Sequence, residues 1–319
     1  MELFRKILAH PNRTLIIASP FGGYKVVVNN NEDVNSPEHV IGLKGITETL
    51  HAMFWPNYVT PAINTYSCAR KSKYKRLAAH GKSSSHRNTP RRVNNQRMGQ
   101  EIGRRVHGEL NTYISIMQFH EHGIISDENA GVRMKAFAAA IGKNGIGGAV
   151  HPCTYAIIEK MLKCWKLIPL AAEWCAGDLH GEFKHATQID LIVIRHGDFE
   201  NSTRGKLILC EVKTGYNHGK FRTGNDLMRH VQPAMKNSPL HQAMIQLVMG
   251  ADMFCSTYNI SLDTIDLAII HCPSKPTHVY SSEFVAANDD SPRIEPSVEY
   301  IVPHVRDSIR RALFAQRLL

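Results

Sequence analysis

Two short runs of the chain decide the fold: IDLIVI at residues 189–194 and KLILCEVK at residues 206–213. Both are apolar and rich in β-branched residues, which is typical of strands, and the stretch between them is polar and contains glycine. The pattern predicts an antiparallel hairpin at the centre of a sheet. We take Ile194 and Leu207 as partners, and this pair sets the register of the two strands.

Charged residues occupy matching positions of these two strands. In the predicted register Asp190 stands directly opposite Glu211. Lys213 follows two residues further along the same face, because side chains alternate with a period of two. Opposed carboxylates with Cβ atoms roughly 4.5–5.5 Å apart repel each other, so a strand pair tolerates them only when a positive charge lies between them. A divalent cation is the obvious candidate for that charge.

The composition limits the classes of protein to which the chain can belong. It has 319 residues, 43% of them hydrophobic, which is enough for a substantial core. No apolar run is as long as a membrane span, and the first residues, MELFRK, lack the apolar core of a secretory signal. We therefore expect a soluble, intracellular protein, and the sequence does not indicate its compartment. Seven cysteines without a C-x-x-C pair argue against a disulfide framework, a zinc site and an iron–sulfur cluster.

The net charge of +10 and the pI near 9.3 favour a polyanionic partner, although a membrane surface or an acidic protein would also suit a basic chain. Ten Lys and Arg residues and no acid lie between Arg70 and Arg97. Like charges at this density repel, so we expect a flexible segment that phosphates order on binding; a solvated linker or a nuclear-import signal is the alternative. The candidate nucleic-acid-binding residues are Arg70, Lys71, Lys73, Lys75, Arg76, Arg91, Arg92 and Arg104.

The patterns divide the chain into four parts. They are an N-terminal lobe with a β-hairpin and a short helix (residues 1–65), the basic segment (66–97), a core (98–302) and a basic amphipathic C-terminal helix (303–319). Periodicity in the core predicts helices at residues 98–119, 136–141, 154–165 and 239–258, and strands at 167–175, 265–271 and 297–302 besides the hairpin. This order predicts a mixed α/β (α+β) fold, with a central mixed sheet flanked by helices.

Three further residues are candidates for a site around the hairpin. Glu173 lies among apolar residues on a predicted strand, where an acid is costly to bury unless it is paired or bound to a metal. Glu182, which lies in a more polar stretch, is the alternative to Glu173. His107 lies at the edge of the apolar face of the first core helix, one turn after Gly103.

The aspartate on one strand and the Glu211-Val212-Lys213 triplet on the next resemble the core of the PD-(D/E)XK nuclease superfamily. In that superfamily an acid and a D/E-x-K triplet converge at one end of a central sheet. Other matches resemble its RecB-like and lambda-exonuclease-like branch. Gly103 to His107 is similar to the G-x-x-x-H helix of that branch, Glu173 to its upstream acid, and residues 45–50 (GITETL) loosely to a segment near its start. The resemblance otherwise covers about residues 98–271.

Two features of the chain depart from that branch. Its glutamine motif commonly has a tyrosine four residues after the glutamine, whereas here Gln242 is followed by Gln246, and Gln246 by Gly250. Either glutamine can therefore be the counterpart of the motif. The four-cysteine cluster of some relatives is absent, which argues against the iron–sulfur subgroup.

The resemblance implies a metal-dependent nuclease with a restriction-endonuclease-like core. Mg²⁺ or Mn²⁺ would suit the oxygen-rich ligand set of Asp190, Glu211 and the Val212 carbonyl, with His107 and Glu173 as further ligands. Lys213 would orient the attacking water or stabilise the transition state, and Gln242 or Gln246 would position Lys213 or the substrate. We expect an exonuclease acting on DNA ends in replication, recombination or repair, with a replication or recombination protein as a further partner. A structure-selective endonuclease and a non-catalytic nucleic-acid-binding protein are the alternatives.

Overall fold

The computed structural model describes residues 2–10, 16–18, 24–27, 40–55, 89–119, 127–143, 150–177, 185–200, 205–216, 218–273, 294–316 and 318. The helices among them are α1 (Glu2–Leu8), α2 (Ile46–Phe54), α3 (Thr89–Met117), α4 (Asp127–Lys143), α5 (Pro152–Glu159), α6 (His196–Glu200), α7 (His218–Arg222), α8 (Pro239–Tyr258) and α9 (Pro303–Ala315). The strands are β1 (Ile16–Ala18), β2 (Tyr24–Val27), β3 (Val40–Gly45), β4 (Leu167–Gly177), β5 (His185–Arg195), β6 (Leu207–Thr214), β7 (Ile265–Cys272) and β8 (Ser297–Tyr300). A π-helical turn (Lys160–Cys164) follows α5, and a 3-10 turn (Leu262–Thr264) precedes β7.

The predicted hairpin is the centre of a mixed sheet. β5 pairs antiparallel with β6, and Ile194 lies opposite Leu207, so the predicted register is confirmed. β4 pairs antiparallel with β5, β7 runs parallel to β6, and β8 runs antiparallel to β7. Five strands therefore follow one another in the order β4-β5-β6-β7-β8, and helices pack on them. The predicted fold class, a mixed α/β protein with a mixed sheet flanked by helices, is confirmed.

The N-terminal strands join this sheet through β3. β1 and β2 form the predicted hairpin, and β2 pairs antiparallel with β3. β3 in turn runs parallel to the start of β5, where Gly45 lies opposite Ala186. The local sequence does not predict β3, because Gly42 and Gly45 make it a poor strand former. Pairing with β2 along residues 40–43, and with β5 at Lys44 and Gly45, overrides this weak local preference.

The long helix α3 carries the candidate histidine. Its apolar face, with Val106, Leu110 and Tyr113, is buried as the helical spacing predicted. The helix begins at Thr89 instead of Met98, because Thr89-Pro90 is a helix-start signal with proline in the first turn. The backbone of Arg91 and Arg92 therefore lies in α3. Five other predicted nucleic-acid-binding residues lie outside the described residues: Arg70, Lys71, Lys73, Lys75 and Arg76.

A buried carboxylate fixes α3 to the start of α5. Glu109, 4% exposed, accepts hydrogen bonds from the backbone N–H of His151 (2.8 Å) and the hydroxyl of Thr154 (2.6 Å). It also forms a salt bridge with Arg105, one turn earlier on α3, at 2.8 Å. These partners compensate the cost of burying the charge, and they hold the helix that presents His107.

Helix α8 packs on the sheet and has the predicted bounds. Ser238 caps its start by accepting a hydrogen bond from the N–H of His241, Pro239 occupies the first turn, and Asn259 ends it with a left-handed φ of 52°. Among the described residues, no helix is both long enough and apolar enough to cross a membrane.

Candidate metal centre

Three carboxylates lie side by side on neighbouring strands. The residues on either side of Asp190 in β5 pair with the residues on either side of Glu173 in β4, so these two acids face each other across that pair of strands. The ladder between β5 and β6 ends one position before Asp190 and Glu211, which are the next residues in register. Asp190 therefore has Glu173 on one side and Glu211 on the other. The predicted hairpin register had placed Glu211 there. Only 4% of the Glu211 side chain and 11% of that of Asp190 are exposed.

Glu173 has a strained backbone. Its φ is 50°, in the left-handed region, which costs a residue with a Cβ atom about 1–2 kcal/mol relative to ordinary conformations. β4 is already irregular nearby, where its register with β5 shifts between Pro169 and Ala171. Strain of this kind persists where the surrounding structure imposes it, and it is concentrated at functional sites. It falls here on the acid that contacts His107.

The ring of His107 contacts residues of β4, β5 and β6, the three strands that carry the acids. Its Nδ1 lies 3.0 Å from Glu173 Oε1 and 3.5 Å from Asp190 Oδ1, and its Nε2 lies 3.2 Å from the carbonyl oxygen of Val212. Both ring nitrogens face oxygen acceptors, and only the doubly protonated imidazolium can donate from both. Burial, the largest influence, disfavours the charged ring. The carboxylates of Asp190 and Glu173 outweigh it and raise the pKa of His107 to about 9.

At Gly103, α3 lies against the end of β6. A Cβ atom at this position would lie 3.4 Å from Oγ1 of Thr214, which is ordinary van der Waals contact. His107 follows one helical turn later and therefore points at the same end of the sheet.

Lys213 supplies a second positive charge. Its ammonium group donates a hydrogen bond to Glu211 Oε1 at 2.5 Å. Burial, the largest influence, favours the neutral amine, but Glu211 and Asp190 outweigh it and raise the pKa of Lys213. His107 and Lys213 therefore place positive charge beside the acids, which offsets part of the repulsion for which the sequence suggested a metal ion.

Asp190 is held at the centre of this network. Its Oδ2 accepts a hydrogen bond of 2.7 Å from the backbone N–H of Val212. Burial and the nearby Glu211 raise its pKa, whereas His107, Lys213 and the Val212 N–H oppose them, and the result is a pKa of about 7. A carboxyl group with a pKa raised this far, between charged neighbours, is typical of a functional site.

The residues fit a divalent cation. His107, Glu173 and Asp190 offer ligand atoms that all lie within 4.8 Å of one another. Two carboxylates and an imidazole suit Mn²⁺, and the carboxylates with water suit Mg²⁺. Glu211 is engaged by Lys213, and the Val212 carbonyl by His107. Of the five predicted ligands, three therefore form the cluster, and two contact it through hydrogen bonds or charge.

The predicted glutamines lie on α8, which packs on β4, β5 and β6. Gln242 donates its amide to Oδ1 of Asn237 (2.7 Å), near the start of α8. Within the part of the chain that the structure describes, neither Gln242 nor Gln246 hydrogen-bonds to Asp190, Glu211 or Lys213. The choice between the two glutamines, and the role of either, stays a prediction. Glu182, the alternative to Glu173, lies outside the described residues.

One residue near the site was missed in the sequence. Tyr216, three residues after Lys213, is 43% exposed, and it is close enough to Lys213 to interact with its charge. Its carbonyl oxygen lies 3.0 Å from Nε2 of His271. Its ring lies 6.1 Å from that of Phe221, which stacks on His271 at 3.9 Å. An aromatic residue directly after an E-x-K strand was the available signal.

Together these groups are of the kinds that metal-assisted hydrolysis uses. The carboxylates and the imidazole can hold a cation, and a charged lysine can stabilise negative charge that develops nearby.

No protein-family model matches the chain, and no curated protein is significantly similar to it in sequence. Its function is therefore inferred from the chemistry of this site.

Proposed function

We propose that the protein is a Mg²⁺- or Mn²⁺-dependent nuclease of the PD-(D/E)XK type that hydrolyses phosphodiester bonds at DNA ends. The observation that carries the proposal is the cluster of His107, Glu173 and Asp190 beside the Glu211–Lys213 pair. An isolated carboxylate cluster would be compatible with many functions. A lysine whose charged form is favoured, next to that cluster, adds the group needed to stabilise a phosphorane-like transition state.

Each residue has a physical role in this proposal. Asp190, Glu173 and His107 would hold the metal, and the N–H of Val212 fixes the orientation of Asp190. When bound, the metal supplies a water of lowered pKa and neutralises charge on the scissile phosphate. Glu211 orients the ammonium group of Lys213, which donates hydrogen bonds to the phosphate or to the attacking water.

The charge of the chain supports DNA as the substrate. The net charge of +10 favours a polyanion, and Arg104 lies exposed on α3 one turn before Gly108 and three residues before His107. An arginine so placed can pair with a phosphate next to the one that is cut. A role in replication, recombination or repair follows from this substrate, and a protein of those processes would be the natural partner.

The test uses three labelled substrates: a linear duplex, a single strand and a covalently closed circle. Each is incubated with Mg²⁺, with Mn²⁺ and with EDTA. Cleavage restricted to free ends, and abolished by EDTA, is the expected result. Cutting of the circle would indicate a structure-selective endonuclease instead, and binding without any cleavage would indicate a non-catalytic nucleic-acid-binding protein.

Matched variants connect the activity to the site. Asp190→Asn and Lys213→Met should each lower the cleavage rate at least about a hundredfold, the loss typical of removing one group that stabilises a transition state. Glu159→Gln and Lys163→Met are the controls, because these residues form an exposed pair on α5 and the turn after it. Full activity of Asp190→Asn or of Lys213→Met would contradict the proposal.

A further inference from the structure

Two cavities beside the candidate metal centre share Glu173 as a wall. One, of about 370 Å³, lies over His107 and Gly108. The other, of about 340 Å³, continues along α3 as far as Ser115 and along residues 170–175 of β4. We call the two together the α3–β4 groove. Along α3 the groove extends from Gly103 to Ser115, which is about 18 Å at the helical rise of 1.5 Å per residue.

Gly108 keeps the metal end of this groove open. Among the described residues, a Cβ atom at Gly108 would have no neighbour within 4 Å, in contrast to Gly103, which lies against Thr214. Glycine inside a helix costs roughly 0.5–1 kcal/mol relative to alanine. The packing of the described residues does not require this glycine. Its effect is to leave space directly beside His107, where a substrate has to approach.

The groove suits a single nucleic-acid strand. Arg104 lies at the metal end, and Asn111 and Ser115 line the helical wall with polar, uncharged groups. Among the described residues that line the groove, Glu173 alone is acidic, and it contacts His107. Leu8, on α1, contributes to an apolar wall of the second cavity. A strand presents charged phosphates on one side and apolar base faces on the other, which matches these two walls.

We propose that the α3–β4 groove binds the single DNA strand that continues from the phosphate at the metal centre. Arg104 pairs with a backbone phosphate, and Gly108 gives that backbone room. A length of about 18 Å accommodates about five nucleotides at 3.4 Å per stacked nucleotide. The identity of the ligand rests on the proposed nuclease function, whereas the position of the site rests on the cavities.

The first test closes the groove at Gly108. Gly108→Trp fills the cavity beside His107 with a large ring. Gly131→Trp is the matched control, because Gly131 is also an exposed helical glycine, on α4, and lines neither cavity. Among the described residues, a Cβ atom at Gly131 would also have no neighbour within 4 Å. Affinity for a fluorescent oligodeoxynucleotide of about ten nucleotides is measured by anisotropy, with Ca²⁺ replacing Mg²⁺ to suppress cleavage. Gly108→Trp should raise the Kd at least about tenfold, and Gly131→Trp should change it less than about twofold.

A second variant tests whether the bound DNA strand runs from the metal centre along the whole groove. Ser115→Trp closes the far end of the groove, so it should weaken the binding of long oligodeoxynucleotides and leave the binding of di- and trinucleotides unchanged. Gly108→Trp should weaken both. Thermal unfolding and Mn²⁺ titration by electron paramagnetic resonance confirm that each variant is folded and keeps its metal centre.

The outcomes separate this inference from the proposed function. Equal binding by Gly108→Trp and Gly131→Trp would overturn the groove assignment, even if the wild-type protein cuts DNA. The wild-type protein could also bind oligodeoxynucleotides more tightly than Gly108→Trp does and yet never cleave them. This result would support the groove assignment and overturn the proposed nuclease function. Absence of oligodeoxynucleotide binding by the wild-type protein would overturn the groove assignment.

Discussion

Replacing Glu173 by glycine should give a more stable protein than replacing it by alanine. Both changes remove the carboxylate, so they cancel the same contacts with His107. They differ in the backbone: the φ of 50° is strained for alanine and free of strain for glycine. Alanine at a positive φ typically costs more than the 0.4–1 kcal/mol by which it would otherwise stabilise a chain relative to glycine. We therefore expect Glu173→Gly to be about 1 kcal/mol more stable than Glu173→Ala.

The neighbouring residue provides a control of opposite sign. Ala172 lies on the same strand, is half-buried like Glu173, and is not among the positive-φ positions of the described chain. Ala172→Gly should therefore destabilise the protein by roughly 0.5–1 kcal/mol. Glycine is thus favoured over alanine at residue 173 and disfavoured at residue 172.

Urea unfolding in EDTA measures both differences. The midpoints of the four proteins, wild type, Glu173→Gly, Glu173→Ala and Ala172→Gly, are compared at a common slope, so that each shift in midpoint reports a change in the free energy of unfolding. A Glu173→Ala protein as stable as Glu173→Gly, or more stable, would refute the left-handed strain. Both Glu173 variants should also bind Mn²⁺ more weakly than the wild-type protein, which tests the ligand role in the same samples.

Two further predictions concern the charges around the site. Because the pKa of His107 is raised from 6.5 to about 9, its charged form stabilises the metal-free fold below pH 6.5, and this contribution is lost as the pH rises through about 9. In EDTA the stability should fall across that interval, and His107→Gln should abolish the fall; a pH-independent stability would contradict the assignment. Mn²⁺ affinity, measured by calorimetry, should rise over the same interval because the metal competes with the proton on His107. Glu109→Ala should cost about 3 kcal/mol in urea unfolding, since it leaves buried donors unpaired, whereas Glu159→Ala at an exposed pair should cost less than about 0.5 kcal/mol.

Local patterns were sufficient for most of the described core. The hairpin register followed from two apolar strands, and the bounds of α8 agree with the range that helical periodicity predicted. Short-range rules failed where the local sequence is ambiguous. β3 contains two glycines, and it is a strand because it pairs with β2 and, at its end, with β5, which lies more than a hundred residues further along the chain.

The candidate site likewise has some features that the local sequence predicts and others that only the tertiary structure decides. The sequence by itself determined that Asp190 and Glu211 oppose each other, because a period of two and one pairing are enough to align them. Only the tertiary structure decided what balances their charge. His107 comes from a helix 66 residues before Glu173 and 105 residues before Val212, and the packing of α3 on the sheet at Gly103 brings its ring between the acids. The groove beside Gly108, which α3 and Glu173 line together, depends on the same packing. Contacts between distant segments have no local signature, since they are formed only when the helix and the strands are assembled.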